Sequence, residues 1–366
     1  MAYNKTEHLR RNIEAIRTAF ALEREQRAAT PEERDVLRAY SGFGAIKEVL
    51  EPLPHKKETA LTPLIEELHA VLKENTGGER EYKRYLDSLK ASVLTAFYTP
   101  EPVTDAIMRM LYNAGVVPVR ALEPSAGTGA FAEYLRRYNE EAEITCFEKD
   151  PLTGLILRHL HPDDTVRVQG LETIEPAYEG HFDLITSNIP FGDVSLFDPA
   201  FSSSRDPVRR QGAWAIHNYF FMKSVDLVRA GGLIAFITSQ GMADAERNRP
   251  VREWLMERCD LVAAVRLPNN LFTDHAGTEV GSDLIVLQKN SAARPLSERQ
   301  RDFIETRTLS NGITVNNSFR SLDRVVQTWA KVGTNPYGKP ALWRTNRRKE
   351  KSAGALQDMW RAVCGS

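Results

Sequence analysis

The chain has no long apolar stretch and no strong charge of either sign. No apolar run approaches the roughly 20 residues that a membrane-spanning helix needs. The first residues, 1–5, do not show the basic-then-apolar pattern of a secretory signal. The formal net charge is -1 over 366 residues, so bulk positive charge does not hold this protein on nucleic acid. These absences predict a cytoplasmic protein without a membrane partner, in which any contact with DNA depends on local charge.

Cysteine is also scarce. Cys146, Cys259 and Cys364 are too scattered to form a disulfide framework or a zinc site. A reducing compartment and a site without metal are therefore expected.

The first region, residues 1–95, has the pattern of helices. Apolar residues from Leu9 to Phe20 recur at helical spacing, and Thr30-Pro31 followed by Glu33 is a capped helix start. A glycine-flanked aromatic turn, residues 40–44, lies between two of these helices. The region is interpreted as a helical cap on a main domain; the alternative is that the aromatic turn touches substrate.

Residues 96–290 alternate between short apolar strands and helices. Predicted strands are 118–123, 143–148, 165–169, 182–187, 232–238, 260–266 and 282–288, and predicted helices are 100–113, 129–138, 151–160, 215–229 and 248–258. This alternation predicts an α/β domain with a mainly parallel, Rossmann-like sheet of seven strands and helices on both faces. The last two strands lack a helix between them and are predicted to pair as an antiparallel hairpin.

The final region, residues 291–366, is polar and less regular. It is predicted to be a C-terminal extension, either a linker or a DNA-contacting segment, with a helix over 322–332 and a turn-rich linker at 333–338. A basic cluster at 344–351 has two interpretations, a nucleic-acid contact and a solvated tail.

A glycine turn between the first strand and the next helix suggests a nucleotide-like ligand. The segment 122–129 contains Glu123, Ser125, Gly127 and Gly129. Glycine permits a close backbone approach, and the N–H groups at the helix start are expected to face the ligand. A dinucleotide site is the alternative, but the Gly-x-Gly-x-x-Gly spacing is absent. Glu148 ends the following strand, where a carboxylate accepts hydrogen bonds from ribose hydroxyls.

A second motif follows a later strand. Asn188, Ile189, Pro190 and Phe191 offer a side-chain carbonyl, a backbone carbonyl and an aromatic face at one place. This combination suits a planar base that carries an exocyclic amino group. Acceptors for both amino hydrogens would hold that nitrogen in a fixed orientation, and such a site needs no metal.

Together the two motifs resemble those of S-adenosylmethionine-dependent amino-methyltransferases, most closely the gamma-class DNA adenine methyltransferases and the related type I modification subunits. The resemblance covers about residues 96–290, and the best likeness is to methylase domains of large mobile-element and phage proteins. It implies S-adenosylmethionine as cofactor, DNA as partner, and the tetrad 188–191 as the catalytic motif. It also implies a helicase-like or recognition unit as a fused domain or partner.

The same resemblance assigns further cofactor contacts. Phe97, Tyr98 and Thr99 match the motif that contacts the methionine part of the cofactor. Leu171 and Glu172 follow the third strand, where relatives place an acid and an apolar residue against the cofactor adenine. Here the acid is missing from its usual position, which leaves Glu172 or Gln169 as its replacement.

The tetrad departs from the family at Ile189, where DNA adenine enzymes usually have proline. The form Asn-Ile-Pro-aromatic also resembles RNA adenine dimethyltransferases, and glutamine methyltransferases use a similar tetrad. Methylation of RNA or protein, and a non-catalytic DNA-binding module, therefore remain alternatives. Phe191 and the early 97–100 motif favour DNA.

DNA contact is predicted for the loop that follows the tetrad. It is long, polar and basic at Arg205, Arg209 and Arg210. A base stacked in a duplex cannot enter such a pocket, so it must be flipped out. The next helix begins near His217, and its Tyr219 is a candidate wall of the base pocket.

Overall fold

A computed structural model describes the chain over residues 4–44, 46–51, 58–95, 98–192, 194–269, 272, 280–319, 328–334 and 340–346. For residues 94, 95, 328–334 and 340–346 it describes the backbone alone. The helices are α1 (Lys5–Glu25), α2 (Pro31–Arg38), α3 (Thr62–Glu74), α4 (Glu79–Thr95), α5 (Glu101–Asn113), α6 (Ala130–Tyr138), α7 (Pro151–Leu160), α8 (Pro199–Ser202), α9 (Pro207–Gly212), α10 (Ile216–Leu227), α11 (Gly241–Asp244), α12 (Arg249–Met256) and α13 (Glu298–Ile304). The strands are β1 (Arg120–Glu123), β2 (Glu143–Phe147), β3 (Thr165–Arg167), β4 (Phe182–Asn188), β5 (Val228–Ser239), β6 (Cys259–Arg266), β7 (Ser282–Lys289), β8 (Thr306–Thr308), β9 (Thr314–Asn316), β10 (Thr328–Thr334) and β11 (Pro340–Asn346).

The central sheet has seven strands in the order β3-β2-β1-β4-β5-β7-β6. β1 to β5 are parallel, and β7 is antiparallel to both of its neighbours. The predicted seven-stranded sheet and its closing antiparallel pair are thus confirmed. From β1 the strand order first runs to β2 and β3 on one side and then continues with β4 and β5 on the other side. In α/β folds, ligands bind at the carboxyl ends of the strands where the order switches in this way, here between β1 and β4.

The central strand β5 shows why the sheet is covered on both faces. In β5, Ile234 and Phe236 belong to one buried cluster, and Ala235 and Ile237 belong to the other. Because side chains along a strand alternate between faces, such a continuous apolar run requires helices on both sides.

The N-terminal helices form their own apolar cluster, and this cluster includes Leu152, Leu155 and Ile156 of α7. The predicted helical cap is present, and it packs on the sheet domain through α7. α2 begins with the predicted capping box: the Thr30 hydroxyl accepts from the Glu33 N–H, and the Glu33 carboxylate accepts from the Thr30 N–H. In the part of the chain that the structure describes, none of the helices has the length and apolar character to cross a membrane.

Two sequence predictions about secondary structure need correction. β5 starts at Val228, whereas 215–229 was predicted as helix and 232 as the strand start. The helix predicted over 322–332 is wrong in its described part, since β10 begins at Thr328 and pairs antiparallel with β11. Thr328, Trp329 and Val332 are β-branched or aromatic residues, which favour a paired strand over a helix. The predicted linker 333–338 and the basic cluster 344–351 lie mostly outside the described residues.

Residues 298–319 are fixed to the sheet domain by a buried arginine. Arg252 of α12 is fully buried, and its guanidinium donates to the carbonyls of Ile304, Met242 and Ala245. A buried guanidinium has to place its N–H groups on acceptors, so these bonds join α11, α12 and α13.

Candidate active site

The turns after β1 and β2 and the end of β4 meet around one cavity of about 470 Å³. Its walls include predicted cofactor and catalytic residues, namely Tyr98, Thr99, Glu123, Ser125, Gly127, Glu148, Leu171, Glu172, Asn188, Ile189, Pro190 and Phe191. Phe97 lies outside the described residues. The volume is within the range of small-molecule sites.

The glycine turn packs directly against the early aromatic motif. Gly127 has φ +57°, and a Cβ at this position would lie 2.8 Å from Cε1 of Tyr98. A side chain there would therefore be strained in its backbone and would collide with the Tyr98 ring. The Ser187 hydroxyl of β4 donates to the Ser125 carbonyl at 2.9 Å, which ties the turn to the strand that carries the tetrad.

Glu123 has a structural role that the sequence did not indicate. It is 1% exposed, and its carboxylate accepts from the N–H groups of Phe131 (3.3 Å) and Ala132 (2.8 Å). Burial raises the pKa of Glu123 well above its usual value, while the two N–H bonds oppose the rise. The expectation that N–H groups of the helix start face the ligand is thus wrong for these two, because Glu123 occupies them.

Gly129 is the only predicted cofactor residue with a described position that does not line the cavity. It is the N-cap of α6 with φ +86°, and a Cβ on it would lie 2.2 Å from Nε2 of His161. The close contact between the start of α6 and His161 of the α7–β3 loop explains why this residue has no side chain. A contact between the Gly129 backbone and the cofactor stays a prediction.

Glu148 lies half-buried beside the turn, and its two carboxylate oxygens are held in place by backbone groups. One accepts from the Gly127 N–H at 2.8 Å and the other from the Asp150 N–H at 2.7 Å. Burial, and then the neighbouring Asp150 carboxylate, raise the pKa of Glu148 to about 7. Asp150 caps α7 by accepting from the Thr153 N–H, and the Ser88 hydroxyl donates to its other oxygen at 2.5 Å. Burial raises the pKa of Asp150 as well.

The tetrad continues from β4 into the cavity wall. The Ile189 N–H donates to the Ile237 carbonyl of β5 at 3.0 Å, so the backbone is held by the sheet up to this residue. Ile189 is 1% exposed and Phe191 is 7% exposed. The Phe191 ring meets Phe272 edge to face, with centroids 6.2 Å apart. Asn188, at the carboxyl end of β4, is therefore presented by a rigid element.

The position after β3 contains both residues that the resemblance implied. Leu171 is 1% exposed in a short 3₁₀ turn, and Glu172 follows it. The Glu172 carboxylate lies over Gly170, where a Cβ would come within 2.2 Å of it, and it pairs with Lys149 at 3.0 Å. Of the two candidate replacements for the missing acid, Glu172 is the one that carries a negative charge into the cavity.

Part of the wall comes from residues that the sequence did not single out. α4, in the N-terminal helical region, contributes Arg84, Asp87, Ser88, Ala91 and Ser92. Ser88, Ala91 and Ser92 recur at helical spacing on one face, and this small, polar stripe was the available signal.

The opposite wall includes Leu196, Ile216 and Phe220. The prediction that Tyr219 walls the base pocket is wrong. Its ring is fully buried, and its hydroxyl donates to Asp198 at 2.7 Å, away from the cavity. The helical period places the neighbouring Phe220 there instead.

The three arginines predicted to contact DNA differ in their surroundings. Arg209 is in a bidentate ion pair with Asp226, both bonds 2.8 Å, and its guanidinium lies 4.3 Å above the Phe201 ring. Arg205 and Arg210 are exposed. The proposed basic loop thus retains two of its three arginines at the surface, and Arg209 holds α9 to α10.

The aromatic turn of the N-terminal region is mostly buried. The Asn12 side chain donates to the Gly42 carbonyl at 2.6 Å, and the Phe43 N–H donates to the Ser92 hydroxyl at 3.0 Å. Tyr40 and Ser41 line a second cavity of about 590 Å³ on the other side of the glycine turn. The turn packs on α4 of the same helical region through Ser92, and the Tyr40 hydroxyl lies 3.5 Å from the Thr153 hydroxyl of α7, so the turn also contacts the sheet domain.

A mainly parallel sheet of seven strands in this order, closed by an antiparallel strand and covered by helices on both faces, is the fold of the methyltransferase class. More specifically, the chain belongs to the N-6 DNA methylase family, whose model matches residues 84–339.

Curated relatives agree with this assignment. The chain is 26% identical over 203 residues to the "Defense against restriction protein B" of Escherichia phage P1, across 54% of this chain and 8% of that protein. It is 26% identical over 231 residues to the type II methyltransferase M.XamI of Xanthomonas campestris pv. amaranthicola, across 60% of this chain and 43% of that protein. The matched segments thus span less than half of the length of either relative.

Among solved structures, the chain is similar to a modification subunit assigned to a type I restriction enzyme from Vibrio vulnificus YJ016. The two are 15% identical, with a TM-score of 0.46, over 81% of this chain and 70% of that one.

Proposed function

We propose that this chain binds S-adenosylmethionine and transfers the methyl group to the exocyclic amino group of adenine in DNA. The observation that carries the proposal is the placement of the tetrad 188–191 on the same cavity as Gly127 and Glu148. Membership of the N-6 DNA methylase family supports DNA as the substrate.

The cofactor half of the cavity fits S-adenosylmethionine. Glu148 is fixed by two backbone N–H groups, so its remaining lone pairs are available to the ribose hydroxyls. Tyr98 and Thr99 line the cavity beside the turn and would contact the methionine part, and Leu171 and Glu172, which line the same cavity, would contact the adenine of the cofactor. Bound S-adenosylmethionine supplies an electrophilic sulfonium methyl group.

The target half supplies two acceptors and apolar walls. The Asn188 side-chain carbonyl and the Ile189 backbone carbonyl would accept the two amino hydrogens of adenine, which favours pyramidal geometry at nitrogen. Because β4 is held between β1 and β5, these acceptors are preorganised and need not reorient during the reaction. Phe191 and Phe220 line the cavity and would form the apolar surroundings of the base.

The DNA base has to leave the duplex to reach this cavity. Flipping costs a few kcal/mol, which contacts inside the pocket offset in part. The near-neutral net charge implies modest affinity for DNA, carried by local groups such as Arg205 and Arg210. Since the curated relatives extend well beyond the matched segments, we also propose that sequence recognition or a helicase-like activity resides in another domain or partner.

Product identification tests the proposal. The chain is incubated with labelled S-adenosylmethionine and, separately, with DNA, RNA or protein, and the products are digested and analysed by mass spectrometry. We expect N6-methyladenine from DNA, and none from an Asn188→Ala variant. Methylcytosine, or product on RNA or protein alone, would contradict the assignment. Tight binding without any product would favour a non-catalytic module.

A further inference from the structure

Two aromatic side chains beside the catalytic cavity are unusually exposed. Phe197 is 75% exposed and Trp214 is 66% exposed, the highest values among the large hydrophobic residues that the structure describes. Val194, on the same segment, is 59% exposed. Exposed aromatics that cluster on one face mark interaction surfaces.

The two aromatics belong to one backbone-linked surface. The Leu196 N–H donates to the Ala213 carbonyl at 2.9 Å. Phe197 directly follows Leu196 and Trp214 directly follows Ala213, so this bond brings the backbones that carry the two aromatics together. Leu196 lines the catalytic cavity, as does Ile216 just after Trp214. Phe197 and Trp214 thus each lie within two residues of a side chain that lines the cavity.

The charges around this surface favour a polyanion. The two acids of the segment are engaged within the protein: Asp198 accepts from the Tyr219 hydroxyl and from Lys223, and Asp206 accepts from the Trp254 indole N–H. Arg205 and Arg210, in contrast, are exposed. In residues 194–214, two arginines and two aromatic side chains are thus exposed to solvent, whereas both carboxylates are hydrogen-bonded within the protein.

We propose that Phe197 and Trp214 form a stacking surface for the nucleotides that flank the target base in the opened DNA strand. Every base has an apolar face, so aromatic side chains bind unstacked bases without regard to sequence, and neighbouring cations contact the phosphates. Such a surface compensates for stacking that is lost when the target base leaves the duplex. The inference rests on the proposed function, because it places the target base in the adjacent cavity.

Fluorescence anisotropy with the full chain tests the inference. The probes are a fluorescein-labelled mixed-sequence single strand of DNA and its duplex, with S-adenosylhomocysteine present. The variants are Phe197→Ala, Trp214→Ala and the conservative Trp214→Phe. The matched control is Tyr112→Ala, since Tyr112 is 45% exposed but lies in the last turn of α5, which leads to the opposite, amino-terminal end of β1.

We expect each alanine variant to weaken binding of the single strand by about fivefold or more. The dependence of affinity on salt should not change, since no phosphate contact is lost. Trp214→Phe should retain most of the affinity, and Tyr112→Ala all of it. Affinities within twofold of the unsubstituted chain, or an equal loss in Tyr112→Ala, would overturn the inference. A concentration-dependent dimer that Phe197→Ala abolishes would also overturn it, by assigning the surface to a second copy.

Methyl transfer by the unsubstituted chain is measured separately. If DNA is methylated but the aromatic variants bind normally, the stacking surface is refuted and the proposed function stands. If binding depends on Phe197 and Trp214 but no methylated DNA is formed, the proposed function fails, and the two aromatics remain a binding surface for single-stranded DNA without a target base beside it.

Discussion

The raised pKa of Glu148 predicts that cofactor affinity depends on pH near neutrality. In the free protein, burial and Asp150 raise this pKa to about 7. Ribose hydroxyls donate hydrogen bonds to the ionised carboxylate, so cofactor binding favours ionisation and competes with protonation. S-adenosylmethionine should therefore bind more weakly as the pH falls through 7, and its binding should release protons in this range.

The size of the effect follows from the pKa. When only the ionised form binds, the apparent dissociation constant rises about twofold at pH 7 and about tenfold at pH 6, relative to pH 8. Isothermal titration calorimetry at the three pH values measures this change. Repeating the titration in buffers of different ionisation enthalpy measures the protons released.

Two variants serve as controls. Glu148→Gln keeps the shape of the side chain without the charge, so it should bind more weakly and show a flat pH profile. Asp150→Asn removes the neighbouring charge, so its midpoint should move to lower pH. A wild-type profile that is flat between pH 6 and 8 would refute the assignment of Glu148 to the ribose.

Three further predictions follow from the site. Asn188→Ala should abolish methyl transfer and leave cofactor affinity and thermal unfolding close to wild type, as measured by activity, calorimetry and circular dichroism; near-normal turnover would remove the tetrad from catalysis. Gly127→Ala should weaken cofactor binding and lower the melting temperature, because its Cβ would meet an aromatic ring at 2.8 Å in a left-handed backbone; unchanged values would show that the turn can relax. Arg205→Ala with Arg210→Ala should weaken binding to all DNA sequences alike and lower the salt slope by about two, whereas Arg209→Ala should destabilise the fold by about 2 kcal/mol through loss of its ion pair. Chemical denaturation separates the two classes, and an equal loss of stability in both would contradict the distinction.

Local signals were sufficient wherever a residue's role depends on its position along one element. The alternation of short apolar strands with helices predicted a sheet covered on both faces, and an acid at the end of the second predicted strand predicted Glu148 in the site. The tetrad at the end of β4 follows from the same rule, since parallel strands bring their carboxyl ends to one edge. Each of these predictions uses only the residues of one strand and its ends, so a single sequence is enough to make it.

Roles that depend on a distant neighbour were not predictable in this way. Gly129 matches a ligand-binding pattern, yet its missing side chain is required by His161. Arg209 belongs to a basic loop by sequence, but Asp226 of the next helix holds it. Tyr219 and Phe220 are adjacent aromatics, and only the rotation of α10 decides which of them faces the cavity.

The sequence by itself determined the class of fold, the order of the motifs and the polar and aromatic groups that the tetrad carries, because residue type and period are properties of a local segment. Only the tertiary structure decided which backbone N–H groups and carboxylates form hydrogen bonds within the protein and which residues from outside the sheet line the cavity. Glu123 takes the N–H groups of α6, Asp198 and Asp206 turn inward, and α4 closes the cavity from the N-terminal region. Each depends on a hydrogen-bond or steric partner that folding brings near, and burial makes an unsatisfied polar group too costly for that partner to be absent.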